Sequence, residues 1–320
     1  MLAAHDHAAN ERAADERTDM SAPSIFTKIA WRSEALAYDI ICLFLKPFSF
    51  AQISNFGGKL LRVFGPKSSK HKRVLTGLKL AFPNLGKAQR DALALKAWDN
   101  IGRTFAEFPI MNRIEVYAPD SRVTVIGREV LTKLIETQTP AVIVTGHFAN
   151  WEIMAAALTQ SGLDVHITYR KINNPYLDAR VKAQREAYGT KFLVQKSTHA
   201  GARMLLRAIE NNESVALLND QKFNEGISVP FFGHGAMTAT GAVRLALKTG
   251  APLVPISVAR NKSEFTVTVH DTLELTETGA RELDIENGVK QIIAFTEEQI
   301  RKNPDQWFWV HRRWPKALYK

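Results

Sequence analysis

Apolar residues along this chain follow two rhythms. Short runs rich in valine and isoleucine alternate with longer stretches in which apolar positions recur every three or four residues. The first pattern marks buried strands and the second the inward stripe of a helix. Strands are predicted at 123–127, 142–144, 165–169, 192–194, 214–218, 252–258 and 264–269, and helices at 87–109, 129–138, 153–158, 174–188, 201–210, 239–248 and 282–302. The helix at 87–109 is typical, with Leu93, Ala97, Ile101, Phe105 and Phe108 on one face. Such alternation predicts an α/β fold, a layered mixed sheet flanked by helices.

Open sheets of this kind collect ligands beyond the carboxyl ends of their strands. His147, Arg170 and Asp220 each follow a different predicted strand. The stretch AVIVTGHFANWEIMAAALTQSG, 141–162, is the most informative. Asn150 suits a helix N-cap, since its side-chain oxygen can accept an orphan backbone N–H, and Glu152 then falls in the first turn, where the helix dipole favours its charge. His147 and Glu152 are five residues apart, roughly 500° around a regular helix, so they need a bend between strand and helix to meet. After such a bend the carboxylate fixes one imidazole nitrogen and leaves the other as a base. A bare H-x-x-x-x-E more often matches by accident, as a satisfied loop histidine and a solvated glutamate.

Residues 1–23 are polar, alanine-rich and acidic, without the basic start and apolar core of a secretory signal, and read as a disordered tail. Residues 24–72 read as an N-terminal membrane-associated helical segment. The apolar run 40–45 is bracketed by Asp39 and Lys46, and Pro47 and the Gly57-Gly58 pair follow. That is too short for the roughly 20 residues of a spanning helix. Tyr38, Phe44, Phe48, Phe50 and Phe56 suit helices lying at a lipid interface, or an amphipathic hairpin packed on the main domain. The basic run Lys67, Lys70, Lys72 and Arg73 could hold anionic head groups.

Composition narrows the function. A single cysteine, Cys42, excludes a disulfide framework and a cysteine-rich metal site. A net charge of +10 and a pI near 9.6 favour anionic partners: nucleic acid, an anionic membrane or an acidic carrier protein. No zinc-finger spacing, RNA-binding aromatic signature or helix-turn-helix supports the first. No G-x-S-x-G elbow is present for a serine hydrolase.

Four phrases are more specific. They are G-H-F-A-N-W-E at 146–152, L-K-L-A-F-P-N-L at 78–85, V-P-F-F-G-H-G-A-M-T-A-T-G at 229–241 and Q-W-F-W-V-H-R-R-W at 306–314. Together they resemble the lipid A biosynthesis acyltransferase family, the lauroyl and myristoyl transferases of Gram-negative bacteria, from about residue 73 to 314. That family carries glycine where this chain has Ala149, a change tolerated unless the backbone there needs a positive φ.

The resemblance implies a glycerolphosphate-acyltransferase-like domain over 73–320. It implies that His147 takes the proton of a lipid hydroxyl, which attacks the thioester of an acyl carrier protein, with Glu152 orienting the imidazole. Arg170 would hold the oxyanion or an acceptor phosphate, and Asp220 would orient Arg170 or another basic group. Asn150, Lys171, Phe231 and Phe232 would contact substrate, the two phenyl rings lining an acyl groove; Lys222 is a weaker phosphate contact and His234 an ordinary loop residue. No metal or cofactor is required, because a thioester already has a good leaving group. The acceptor would be a phosphorylated glucosamine lipid, a lipid A precursor, at the cytoplasmic face of the inner membrane, with the protein peripheral or single-pass. Alternatives are the same chemistry on another glycolipid, glycerophosphate or aminolipid, or a non-catalytic basic membrane-surface module. Trp307, Trp309 and Trp314 alternate with cations, a composition that suits either a membrane–water boundary or a segment packed on the sheet.

Overall fold

A computed structural model of the chain describes residues 23–169, 171–193 and 199–319; most of the expected tail, Arg170 and Val194 lie outside the described residues. These form strands β1 (Val123–Ile126), β2 (Val142–Thr145), β3 (Val165–Thr168), β4 (Lys191–Leu193), β5 (Ser214–Leu218), β6 (Ile227–Phe231), β7 (His234–Thr238), β8 (Leu253–Asn261) and β9 (Glu264–Val269). The helices are α1 (Ile25–Leu45), α2 (Phe50–Phe64), α3 (His71–Ala81), α4 (Lys87–Glu107), α5 (Arg128–Glu136), α6 (Trp151–Gln160), α7 (Pro175–Glu186), α8 (His199–Glu210), α9 (Gly241–Thr249) and α10 (Arg281–Lys302).

Seven strands make one sheet in the order β1-β9-β8-β2-β5-β3-β4. All neighbours are parallel except the β8–β9 hairpin, so the expected mixed, layered sheet is what the chain forms. Parallel strands covered on both faces must be apolar on both, and β2 is buried throughout. Val142 and Val144 face a core shared with α9 and α10, through Val243, Ala246, Val289 and Ile293. Ile143 faces the opposite core, with Ile153, Met154 and Ala157 of α6. The phrase at 229–241, expected to supply the phenyl rings of an acyl groove, falls mostly in the separate β6–β7 hairpin and ends at the first residue of α9.

Gly57 and Gly58 do not interrupt α2. The helix runs through them because α2 crosses α4 at Gly102, where a Cβ on either Gly57 or Gly102 would strike the other's carbonyl oxygen. Helix α1 rests on α7, where Arg180 grips Asp39 at 2.7 and 2.6 Å and Asn174 bonds the Trp31 carbonyl at 2.8 Å. The outward faces of α1 and α2 stay apolar and exposed, among them Phe26, Phe44, Phe56 and Phe64. Among the described residues, no helix is long and apolar enough to cross a membrane.

The C-terminal segment packs on the sheet and not at a boundary. Trp307, Trp309 and Trp314 are fully buried. Each indole N–H has an acceptor, Asp220 Oδ2 at 2.7 Å, the Pro304 carbonyl at 2.7 Å and the Phe231 carbonyl at 3.0 Å, as a buried indole requires. Arg313 is buried beside them, donating to the Met237 carbonyl and Thr238 Oγ1 and lying over the Phe231 ring. Burial lowers its pKa to about 10, which still leaves it charged at neutral pH.

Candidate active site

Strands β2 and β5 are parallel neighbours, with Thr145 level with Leu218. Two residues beyond each, the chain places His147 and Asp220. The matching offset brings them together: His147 Nδ1 lies 2.7 Å from Asp220 Oδ1, and the His147 backbone N–H donates to Oδ2 at 2.8 Å. The Trp307 indole supplies a third bond to this carboxylate. Burial alone would raise the pKa of Asp220, but the adjacent imidazole and these hydrogen bonds outweigh it and hold the carboxyl below its usual range. An ionised Asp220 can only accept, so Nδ1 carries the proton and Nε2 keeps its lone pair. The Gln221 amide nitrogen sits 3.2 Å from Nε2, in the place of a donor to it.

The imidazole is framed by rings. Trp151 meets it edge-on at 4.9 Å between centroids, and Phe308 stacks on it at 5.9 Å. It opens on a cleft of about 750 Å³ between α4, α6, α7 and the end of β3. Phe105, Phe108, Met154, Ile167 and Val181 give this cleft an apolar wall, and Gln221 and Lys171 stand on its border.

Glu152 does not orient His147. Its buried carboxylate points to α7, where Arg185 binds both oxygens at 2.9 and 2.5 Å and the Tyr188 hydroxyl donates at 2.5 Å. The sequence argument used the nearest carboxylate along the chain. Parallel pairing of β2 with β5 delivers another from 73 residues away. Glu152 and Arg185 line the same cleft, and their pairing braces α6 against α7.

Asn150 caps α6 as expected, accepting the Glu152 N–H at 3.1 Å. It is wholly buried, however, and its amide donates to Glu107 at 2.8 Å, so it is a structural group and not a substrate contact. Phe231 and Phe232 do not line the cleft either. Phe231 is packed between Trp307 and Trp314. Phe232 occupies the β6–β7 turn at φ +49°, its N–H held by Glu297 and its ring by Phe82. Arg170 lies outside the described residues. Lys222 is placed by its backbone, whose N–H donates to His311 Nε2 at 3.1 Å. His234 opens β7, level with Phe231 across the hairpin.

Three contributors were missed from sequence: Trp307, Gln221 and His311. Gln221 was visible only as the neighbour of Asp220, and the other two only as parts of a tryptophan-rich phrase. Burial, reinforced by the nearby charges of His147, Arg313 and Arg73 against the opposing Asp220, lowers the His311 pKa to about 4. It is therefore neutral at physiological pH and able to accept the Lys222 N–H, which fixes the loop carrying Asp220 and Gln221.

Elsewhere, among the described residues, Asp164, His166 and Glu213 bring metal-type ligand atoms within 4.8 Å of one another. They sit at the opposite end of the sheet from His147, and Asp164 is already paired with Lys191 at 2.6 Å.

Residues 24–316 match the model of the bacterial lipid A biosynthesis acyltransferase family. A lipid A biosynthesis lauroyltransferase of Escherichia coli is 26% identical over 272 residues, covering 80% of this chain and 82% of its own length. A phosphatidylinositol mannoside acyltransferase of Mycobacterium tuberculosis is 25% identical over 170 residues, 52% of this chain and 54% of its own. Among solved structures, a 1-acyl-sn-glycerophosphate acyltransferase of Thermotoga maritima overlaps 80% of this chain and 99% of its own, at 11% identity and a TM-score of 0.38.

Proposed function

The chain belongs to the bacterial lipid A biosynthesis acyltransferase family, and we propose that it moves a fatty acyl group from the thioester of an acyl carrier protein to a hydroxyl of a phosphorylated glucosamine lipid. The observation that carries this reading is the His147–Asp220 pair at the rim of an apolar-walled cleft. His147 Nε2 takes the proton of the acceptor hydroxyl. The oxygen attacks the thioester carbonyl, the tetrahedral intermediate collapses, the C–S bond breaks, and the imidazolium returns its proton to the departing thiolate. Asp220 keeps the tautomer and balances the imidazolium charge. The acceptor hydroxyl displaces the Gln221 amide from Nε2, which leaves that amide free to donate to the developing oxyanion. The acyl chain lies along Phe105, Phe108 and Val181.

Positioned acid–base catalysis contributes ~10²–10⁴-fold. Accordingly His147→Ala is expected to lose at least two orders of magnitude in transfer of labelled acyl groups while still binding vesicles. Transfer persisting near the parent rate sinks the assignment of the base. Mass spectrometry of lipid A from cells with and without the protein identifies the acceptor: loss of one acyl group from lipid A supports this reading. An unchanged lipid A with an altered glycolipid favours the second one, acylation of another glycolipid, which the mannoside acyltransferase relative suggests.

A further inference from the structure

Beside α2 lies a second polar hollow, of about 280 Å³, between α2, α4, the β8–β9 turn and the C-terminal segment. Five cations face it, Arg62, Lys96, Arg103, Arg260 and Lys262, against two carboxylates, Asp99 and Asp305. Arg260 is committed to the buried Glu107, and Arg103 to Asp99 at 2.5 Å. Among the described residues Arg62, Lys96 and Lys262 form no salt bridge, and neither does Asp305. Three uncommitted cations against one uncommitted carboxylate leave the hollow with an excess of positive charge. Like charges gathered at one site repel, and an entering anion relieves that repulsion while gaining its own attraction.

The hollow's place on the molecule says which anion. Phe56, Leu60, Val63 and Phe64 form the exposed apolar stripe of α2. At about 100° per residue Arg62 stands roughly 100° from Val63, the nearest residue of that stripe, and next to the buried Gly58, on the polar side of the helix. With the stripe in a bilayer, the cations on the polar side of α2 stand on the head-group side of the boundary, where cations attract anionic lipids. The hollow also borders the catalytic support, since Gln306 lines it and the next residue, Trp307, bonds Asp220.

We propose that this hollow binds the phosphate of an anionic lipid head group. Two sources share that chemistry: a membrane phospholipid, and the acceptor's own phosphate, the latter resting on the function proposed above. The test compares Arg62→Gln/Lys96→Gln with a control of equal charge loss, Lys248→Gln/Arg281→Gln, taken from a separate hollow between α9 and α10. In co-sedimentation with phosphatidylcholine vesicles, with and without phosphatidylglycerol, the first variant loses about tenfold or more of its preference for anionic vesicles. The control keeps that preference. In detergent micelles, a raised KM for the phosphorylated acceptor at unchanged kcat assigns the site to the acceptor. An unchanged KM with lost vesicle preference assigns it to membrane phospholipid. The proposal fails if the two variants behave alike in both assays. Should the double variant melt early, Lys262→Gln, in an exposed turn, repeats the measurement. Because sedimentation needs no turnover, a failure of the catalytic reading leaves the vesicle result standing.

Discussion

The two aromatic-rich ends of this chain look alike in sequence and meet opposite fates. Phe26 and Phe56, on α1 and α2, are 80% and 65% exposed, whereas Trp309 and Trp314 near the C-terminus are 1% and 0% exposed. Both ends mix rings with cations. What separates them is hydrogen bonding. Each C-terminal indole has an acceptor waiting, and the cation among them, Arg313, has the hairpin carbonyl of Met237. The exposed N-terminal phenyl rings, such as Phe26 and Phe56, have no polar atom to satisfy, and the helices already bury their other face on α4 and α7. An aromatic–basic composition therefore does not distinguish an exposed apolar face from a core; the placement of acceptors does.

The sharpest way to break this contrast is to remove a ring from each end. Trp314→Ala empties a fully buried site and is expected to cost about 3–5 kcal/mol, read as a lower denaturation midpoint. Phe26→Ser/Phe56→Ser is expected to change stability by less than about 0.5 kcal/mol per site. It should instead weaken vesicle binding by about tenfold or more, since each ring buried in lipid is worth about 1.5–3 kcal/mol. A mild Trp314→Ala, or an N-terminal double variant that melts early with vesicle binding intact, would reverse the assignment.

A second test uses acid. His311 is kept neutral in the folded protein, with its pKa near 4, while an unfolded histidine titrates near 6.5. Between those values the unfolded chain binds the extra proton, so unfolding free energy falls as pH drops from about 6.5 to about 4, by at most about 3 kcal/mol. His311→Gln, which can still accept the Lys222 N–H, should flatten that slope. The N-terminal substitutions should leave it untouched. A slope unchanged in His311→Gln assigns the acid sensitivity to other groups.

Much of the scaffold was legible because it is local. Val142, Ile143 and Val144 announced β2, Asn150 announced the start of α6, and the helix expected at 239–248 is α9, closed by Gly250 at φ +70°. His147 at a strand end was legible for the same reason. Its partner was not, because Asp220 reaches it only through strand order, and a one-dimensional reading has no access to which strands are neighbours. Phe231 and Phe232 misled similarly: two adjacent rings resemble a tunnel wall, but the hairpin turns one into the core and puts the other at its tip. Gly57-Gly58 resembled a helix break when it marked a close helix crossing.

Trp307→Phe separates ring from N–H within the buried segment. It removes one of three bonds to Asp220, and hydrogen bonds to charged groups are worth about 1.5–3 kcal/mol. A fall in kcat of about tenfold or more is expected, with a smaller loss of stability than Trp314→Ala and with vesicle binding unchanged. Because the remaining bonds hold Asp220 less firmly, its pKa moves up toward the ordinary carboxylate range. It stays ionised at neutral pH, so the loss is one of positioning and shows as a lower rate. If kcat stays at the parent value, the indole only fills space, and the C-terminal end contributes packing alone.

The smallest expected effect lies where the buried segment meets the histidine loop. Ala149 adopts φ +43°, which turns its N–H onto the Gln306 carbonyl at 2.7 Å, while Phe148 bridges Trp307. The left-handed region costs an L-residue about 1–2 kcal/mol. Glycine relieves that but gives up about 0.5–1 kcal/mol in chain entropy and a buried methyl worth about 0.8 kcal/mol. These nearly cancel, so Ala149→Gly is expected within about 1 kcal/mol of the parent, with catalysis retained. Ala149→Val has no such relief, since a β-branched residue is a genuine outlier at positive φ. It should destabilise clearly and lower kcat by tilting the loop that carries His147. Equal stabilities for the glycine and valine variants, by urea denaturation, would mean that the loop does not hold this backbone conformation, and that the clamp between histidine loop and C-terminal segment is looser than the hydrogen bond to Gln306 implies.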